Sequence, residues 1–182
     1  MINSNIRQMT RIEYIMKYAS LVIEVCKNTA FFPSVMMAQA LLESSSKEGT
    51  PGASLLASKY NNHFGIKAHK SWKGQKVALS TEEFLNGAMK AVKAWFRVYE
   101  NTYQSFADRV QVILRNPRYR NGGVFKTSNA NEQALAIQRS GYATDPNYAA
   151  KLIAIIRRHK LEDLDKKVRI GPSDLPTHGT ST

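Results

Sequence analysis

The chain opens on a helical rhythm. Thr10-Arg11-Ile12-Glu13 has the spacing of a capping box, and Ile12, Ile15, Met16, Ala19, Val22, Ile23 and Cys26 follow at intervals of three and four, which predicts an amphipathic helix over 10–28. From Phe32 to Ser44 the pattern differs. Pro33 suits a first helical position, apolar residues then occupy almost every face, and Ser44-Ser45-Ser46 ends the run, so a buried helix is expected with Glu43 in its last turn. Residues 47–53 read as a Gly/Pro loop, and Ser54 to Lys59 as one or two helical turns.

Between Phe64 and Tyr99 the period shortens to alternation, with Trp72-Lys73-Gly74 and Asn86-Gly87 as turn signals, and a small antiparallel β-lobe is expected there. Helical spacing returns at Tyr103–Leu114, at Asn129–Arg139 ahead of Gly141, and from the cap at Asp145-Pro146 through Ile156. After about Asp165 periodicity and large apolar residues run out. The expectation is one mainly α (α+β) domain over 1–164 followed by a flexible tail over 165–182.

Glu43 is the residue this patterning makes conspicuous, because a helix of otherwise core character rarely carries a carboxylate. In the last turn it faces the negative end of the helix dipole, and Met36 and Ala40, on the turns before it, desolvate it. Both effects favour the protonated form, which a general acid needs near neutral pH. The competing reading is a glutamate turned to solvent at a fraying end.

Composition narrows the classes. The 182 residues contain 26 Lys and Arg against 14 Asp and Glu, a net charge of +12, which predicts attraction to polyanions without choosing among nucleic acid, anionic lipid and cell wall. The single cysteine, Cys26, falls on the stripe of the first helix and reads as a core residue. His63, His69, His159 and His178 lack ligand spacing, no phosphate loop or Gly-x-Ser-x-Gly elbow appears, and neither a metal nor an organic cofactor is expected. No stretch approaches the length of a membrane span, and Met1–Arg7 does not read as a secretory signal, so delivery as a phage or injected protein, or within a larger one, is anticipated.

Four islands taken together, Ala38 to Ser44, Ser54-Leu55-Leu56-Ala57 with Asn61-Asn62-His63-Phe64-Gly65-Ile66-Lys67, Phe96-Arg97-Val98-Tyr99, and Gly141 to Tyr148, resemble the glycoside hydrolase family 73 glucosaminidases over about Thr10 to Arg158. The resemblance implies a lysozyme-like fold and cleavage of the β-1,4 bond after N-acetylglucosamine in peptidoglycan, with Glu43 at the position of the acid. The family's second acidic residue falls in Ser80-Thr81-Glu82-Glu83-Phe84-Leu85-Asn86-Gly87, where Glu83 is the better match and Glu82 the alternative. Adjacent strand positions point to opposite faces, so only one of the two can look into a cleft.

Tyr142 matches the family's active-site tyrosine, while Tyr148 and Asp145 read as packing and capping residues. Asn61, Asn62 and Phe64 match the family's approach to the β-lobe, where amides could bond sugar groups. Trp72 and Tyr119 are candidate sugar-stacking faces. The chain departs from the family directly after Glu43-Ser44, where Ser45-Ser46 and the Gly/Pro loop stand, which bears on subsite shape.

The expected partner is bacterial peptidoglycan, acted on at the cell wall by a monomer, with no nucleic acid and no membrane insertion. The rival class is a basic binding module without catalysis, resting on the net charge and on Lys70, Lys73, Lys76, Lys90, Lys93 and Arg97.

Overall fold

The computed structural model describes residues 8–85 and 88–168, with the side chains of 82–85 and 89 outside that description. Helix α1, Arg11–Cys26, starts at the predicted capping box: Thr10 Oγ1 accepts the Glu13 N–H at 3.2 Å and Glu13 Oε2 accepts the Thr10 N–H at 2.8 Å. Its buried face is rotated from the predicted stripe. Tyr14, Val22 and Cys26 are the inward residues, whereas Ile12 and Met16 are 64% and 75% exposed. The reason is aromatic packing: Tyr14 and Tyr18 meet edge to face at 4.6 Å, and Tyr18 continues to His63 and Phe106.

Helix α2, Pro33–Glu43, is the axis of the domain, with every residue from Pro33 to Leu41 buried. Helices α1, α6 (Ala130–Arg139), α7 (Tyr148–His159) and α8 (Glu162–Asp165) pack around it. No side chain caps α2 locally. Instead Asp165 of α8 accepts the Ser34 N–H at 2.8 Å and the Ser34 hydroxyl at 2.7 Å, a cap delivered across 131 residues of chain. Asp165, the first residue of the expected tail, thus ends α8 and packs on α2. Helix α8 carried no periodic signal because it is only four residues long. Residues 169–182 of that expected tail lie outside the described residues.

The β-lobe is narrower than predicted. After the short helix α3, Leu55–Tyr60, residues 64–75 form turns with one bridge, Lys67 to Phe96, and then β1 (Lys76–Leu85) and β2 (Ala88–Arg97) form an antiparallel hairpin. The predicted tight turn at Asn86-Gly87 lies outside the described residues. Helix α4, Thr102–Arg115, starts on an Asn101 cap and returns the chain to the core. The sequence reading missed α5, Pro117–Asn121, although its signal is present: Asn116 caps it through the Arg118 N–H, and Pro117 stands at a first-turn position.

Candidate active site

Glu43 ends α2, as predicted, but it does not simply project from the helix end. Its Oε1 accepts a 2.8 Å hydrogen bond from the Tyr148 hydroxyl on α7. Tyr148 Oη accepts in turn from Gln39 Nε2 at 2.9 Å, and Gln39 Oε1 accepts from Arg109 Nη2 on α4 at 2.8 Å. Tyr148, Gln39 and Arg109 are all buried. Burial pushes the Glu43 carboxyl above the usual carboxylate range, while the Tyr148 hydrogen bond and then the Arg109 charge pull it part of the way back.

The reading of Tyr148 as only a packing residue is thus corrected: its ring is core, but its hydroxyl meets Glu43. Gln138 sets its position by accepting the Ala149 N–H at 2.6 Å and donating to the Pro146 carbonyl at 2.9 Å, which fixes the start of α7 against α6. Asp145 keeps its local role, accepting the Asn147 N–H and pairing with Lys151 at 2.6 Å. Helix α7 itself begins at Tyr148, later than the Asp145-Pro146 cap predicted, because these two residues form the turn that precedes it.

Tyr142 follows Gly141, whose φ of +72° is the left-handed conformation that ends α6 and suits glycine. That turn lays the Tyr142 ring 5.2 Å from the ring of Tyr148 and 4.4 Å from the Arg109 guanidinium. Burial pushes its hydroxyl up to about 12, against the pull of Arg109, so it is a neutral hydroxyl at any working pH. The structure therefore brings Tyr142 and Glu43 into one cluster through Tyr148.

The hairpin register pairs Glu83 with Lys90 and Glu82 with Ala91, so the two glutamates lie on successive rungs, and the Glu83 rung shares its alternation with the Val77–Phe96 rung. The side chains of Glu82 and Glu83 lie outside the described residues.

The residues expected to meet sugar have partners within the domain. Asn62 is 1% exposed and its amide is fully engaged, donating to the carbonyls of Ile66 and Arg97 at 3.0 and 2.9 Å and accepting the Ile66 N–H at 2.9 Å. Asn61 takes the left-handed position that ends α3, with φ +52°, and donates to the Tyr99 carbonyl. Both asparagines staple the β-lobe to the helical body. Phe64 is buried edge to face against Phe106 at 4.8 Å, and Tyr119 is buried beside Tyr142. One face of Trp72 is covered by the Arg97 guanidinium at 4.4 Å, and its indole N–H donates to Gln75. Arg97 also pairs with Asp108 at 2.6 Å, so it belongs to a local ion pair and not to an open basic surface.

His63 was absorbed into no sequence-level role, yet it anchors the far side of α2's end. Its Nδ1 lies 2.7 Å from the Tyr14 hydroxyl, and Ser44, the residue after Glu43, sits beside the same hydroxyl and accepts the Gly52 N–H at 2.9 Å. The loop that departs from the family pattern is thereby tied to the helix end. Gln39 and Arg109 escaped the sequence reading, and Tyr148 passed there as packing, for a simple reason. They stand 70 and 109 residues apart from one another in pairs, and only packing joins them.

Comparison with known proteins places this geometry. The family model described as mannosyl-glycoprotein endo-β-N-acetylglucosaminidase matches residues 19–161. The peptidoglycan hydrolase FlgJ of Salmonella typhimurium is 46% identical over 99 residues, 54% of this chain and 31% of FlgJ. The exo-glucosaminidase LytG of Bacillus subtilis is 39% identical over 137 residues, 74% of this chain and 46% of LytG. The chain thus spans less than half the length of these curated relatives. The solved, C-terminally truncated glycoside hydrolase domain of Salmonella typhimurium FlgJ superposes with a TM-score of 0.62 at 34% identity, covering 83% of this chain and 98% of that domain. The mainly α, lysozyme-like architecture and the family match agree, and the chain belongs to the glucosaminidase family, glycoside hydrolase family 73.

Proposed function

We propose that this chain hydrolyses bacterial peptidoglycan at the β-1,4 bond after N-acetylglucosamine, with Glu43 as the general acid. The observation behind the proposal is Glu43 itself: a carboxyl at the end of a buried helix, raised in pKa by burial and held at one oxygen by Tyr148. Protonated, it can give its hydrogen to the leaving glycosidic oxygen. Family membership, and relatives named as a peptidoglycan hydrolase and an exo-glucosaminidase, support the substrate class.

A glycosidase also needs a group to handle the positive charge and the water at the sugar carbon. In this reading Glu83, on the hairpin, supplies a carboxylate for the water, and Tyr142 orients either that water or the substrate's acetamido group. The basic surface, with Lys70, Lys73, Lys76, Lys90 and Lys93 exposed, holds the enzyme near anionic groups of the wall.

The test is mass spectrometry of borohydride-reduced products from purified peptidoglycan, comparing wild type with Glu43→Gln. Reduced N-acetylglucosamine ends formed only by wild type support the reading. Reduced muramic acid ends would instead make the enzyme a muramidase. Products from a folded Glu43→Gln variant would remove Glu43 from the acid role.

A further inference from the structure

Arg109 is an unusual residue to find beneath this site. Its guanidinium is 1% exposed, forms no ion pair with a described residue, and leaves Nε and Nη1 without a hydrogen-bond partner. A cation buried with unpaired donors is costly, and the aromatic faces of Tyr142 at 4.4 Å and Phe64 at 5.7 Å offset that cost only in part. The one strong bond it makes is to Gln39 Oε1.

That bond has a directional consequence. Arginine has no acceptor, so the Gln39 amide can meet it only with Oε1. Nε2 is then forced toward Tyr148, whose oxygen accepts, and the single Tyr148 hydrogen goes to Glu43 Oε1 at 2.8 Å, with the Tyr142 hydroxyl beside the Tyr148 oxygen. Every donor along the chain of bonds is dictated from its buried end.

We infer that Arg109 and Gln39 are positioning residues that hold the Tyr148 hydroxyl in the donor role, so that the acidic proton of Glu43 resides on Oε2 and faces the reaction. Oε2 accepts no hydrogen bond from a described residue. Without Gln39, the Tyr148 hydroxyl can rotate and accept from a protonated Oε1, which stabilises the neutral acid while holding its proton away from a glycosidic oxygen. The inference rests on Glu43 being the acid. The ionisable groups around Glu43 are Arg109 from α4, Tyr148 from α7 and Tyr142 from the turn before α7, with the β1 carboxylates Glu82 and Glu83 outside the described side chains.

The experiment combines a ¹³C NMR titration of the Glu43 carboxyl, assigned by its loss in Glu43→Gln, with kcat and KM on soluble glycan strands. The variants are Gln39→Met, Tyr148→Phe, their double mutant and Arg109→Lys, each checked for folding by circular dichroism. Gln39→Met is expected to move the Glu43 midpoint and the alkaline limb of the rate profile to higher pH. It should also lower kcat about tenfold, the size of one hydrogen bond to a charged group, with KM unchanged.

Tyr148→Phe should shift the midpoint in the same direction, and the double mutant should shift it no further, because the two changes break one connection. Arg109→Lys trades the stacked guanidinium for a strongly hydrated point charge and should reproduce part of the Gln39→Met shift. An unmoved Glu43 midpoint in Tyr148→Phe, or additive shifts in the double mutant, would overturn the inference. So would a fall in kcat without any titration shift in Gln39→Met, which is what loss of packing alone produces. The titration needs no turnover, so a wild type that cleaves nothing defeats the acid assignment while the relay is still decided by NMR.

Discussion

Asp165→Ala tests whether α2, the helix that presents Gln39 and Glu43, depends on a cap supplied from the far end of the domain. The Asp165 carboxylate is 9% exposed and accepts both the N–H and the hydroxyl of Ser34, which is fully buried. Hydrogen bonds to a charged group contribute about 1.5–3 kcal/mol each, and removing the acceptor leaves two buried donors at the positive end of a helix. Taking the low end for both gives about 3 kcal/mol, a large fraction of the roughly 5–15 kcal/mol that holds a domain together. For a chain of this size that is a fall in Tm of about 6–12 °C.

The assay is urea unfolding followed by far-ultraviolet circular dichroism, with Asp163→Ala as the control. Asp163 lies on the same helix but makes only an exposed pair with Lys166, so its removal should leave the midpoint unchanged. If Asp165→Ala costs no more than Asp163→Ala, water replaces the carboxylate freely and the long-range cap contributes nothing. A chain ending at Leu161 should lose at least as much as Asp165→Ala, because it also discards the buried Leu164.

Acid should unfold this protein partly through His63. Burial, and next the charge of Lys17, pull its pKa from 6.5 down to about 4, so the folded state binds fewer protons than the unfolded one between those values. Its contribution is complete above pH 6.5 and is lost as the pH falls through that window, about 3 kcal/mol in all, so a folded His63→Gln variant should show a flatter decline in stability from pH 7 to 4.5 by denaturant titration. Asn62→Asp should loosen the β-lobe while sparing the helical body. It sets a carboxylate against the Ile66 and Arg97 carbonyls, at a cost of about 2–3 kcal/mol, and hydrogen exchange should quicken at β2 amides with α2 protection retained; uniform exchange across both would refute the stapling role.

Local signals were legible wherever a few neighbouring residues settle the structure. The capping box at Thr10, the Pro33 start and serine stop of α2 and the end of α6 ahead of Gly141 are decided by contacts within one or two turns, and the helices around them stand where the pattern placed them. The same locality delivered Glu43 to the last turn of a buried helix. The direction in which a helix faces is not local: Ile12 and Met16 share the apolar period of α1, yet the inward side is chosen by the packing of Tyr14 and Tyr18 on His63 and Phe106.

The sequence by itself determined the order of the longer helices and of the β-hairpin between them, the family and the residue presented at the end of α2, because spacing and caps act over a handful of positions. Only the tertiary structure decided what surrounds that residue. Asn62 had the right type for a sugar contact and was claimed by two backbone carbonyls, Tyr148 looked like a packing ring and turned its hydroxyl to Glu43, and Asp165 fell in the expected tail and became the cap of α2. A hydrogen bond is set by which groups meet in space. Between residues 70 to 131 positions apart, that meeting is arranged by the core and leaves no trace in the period of the chain.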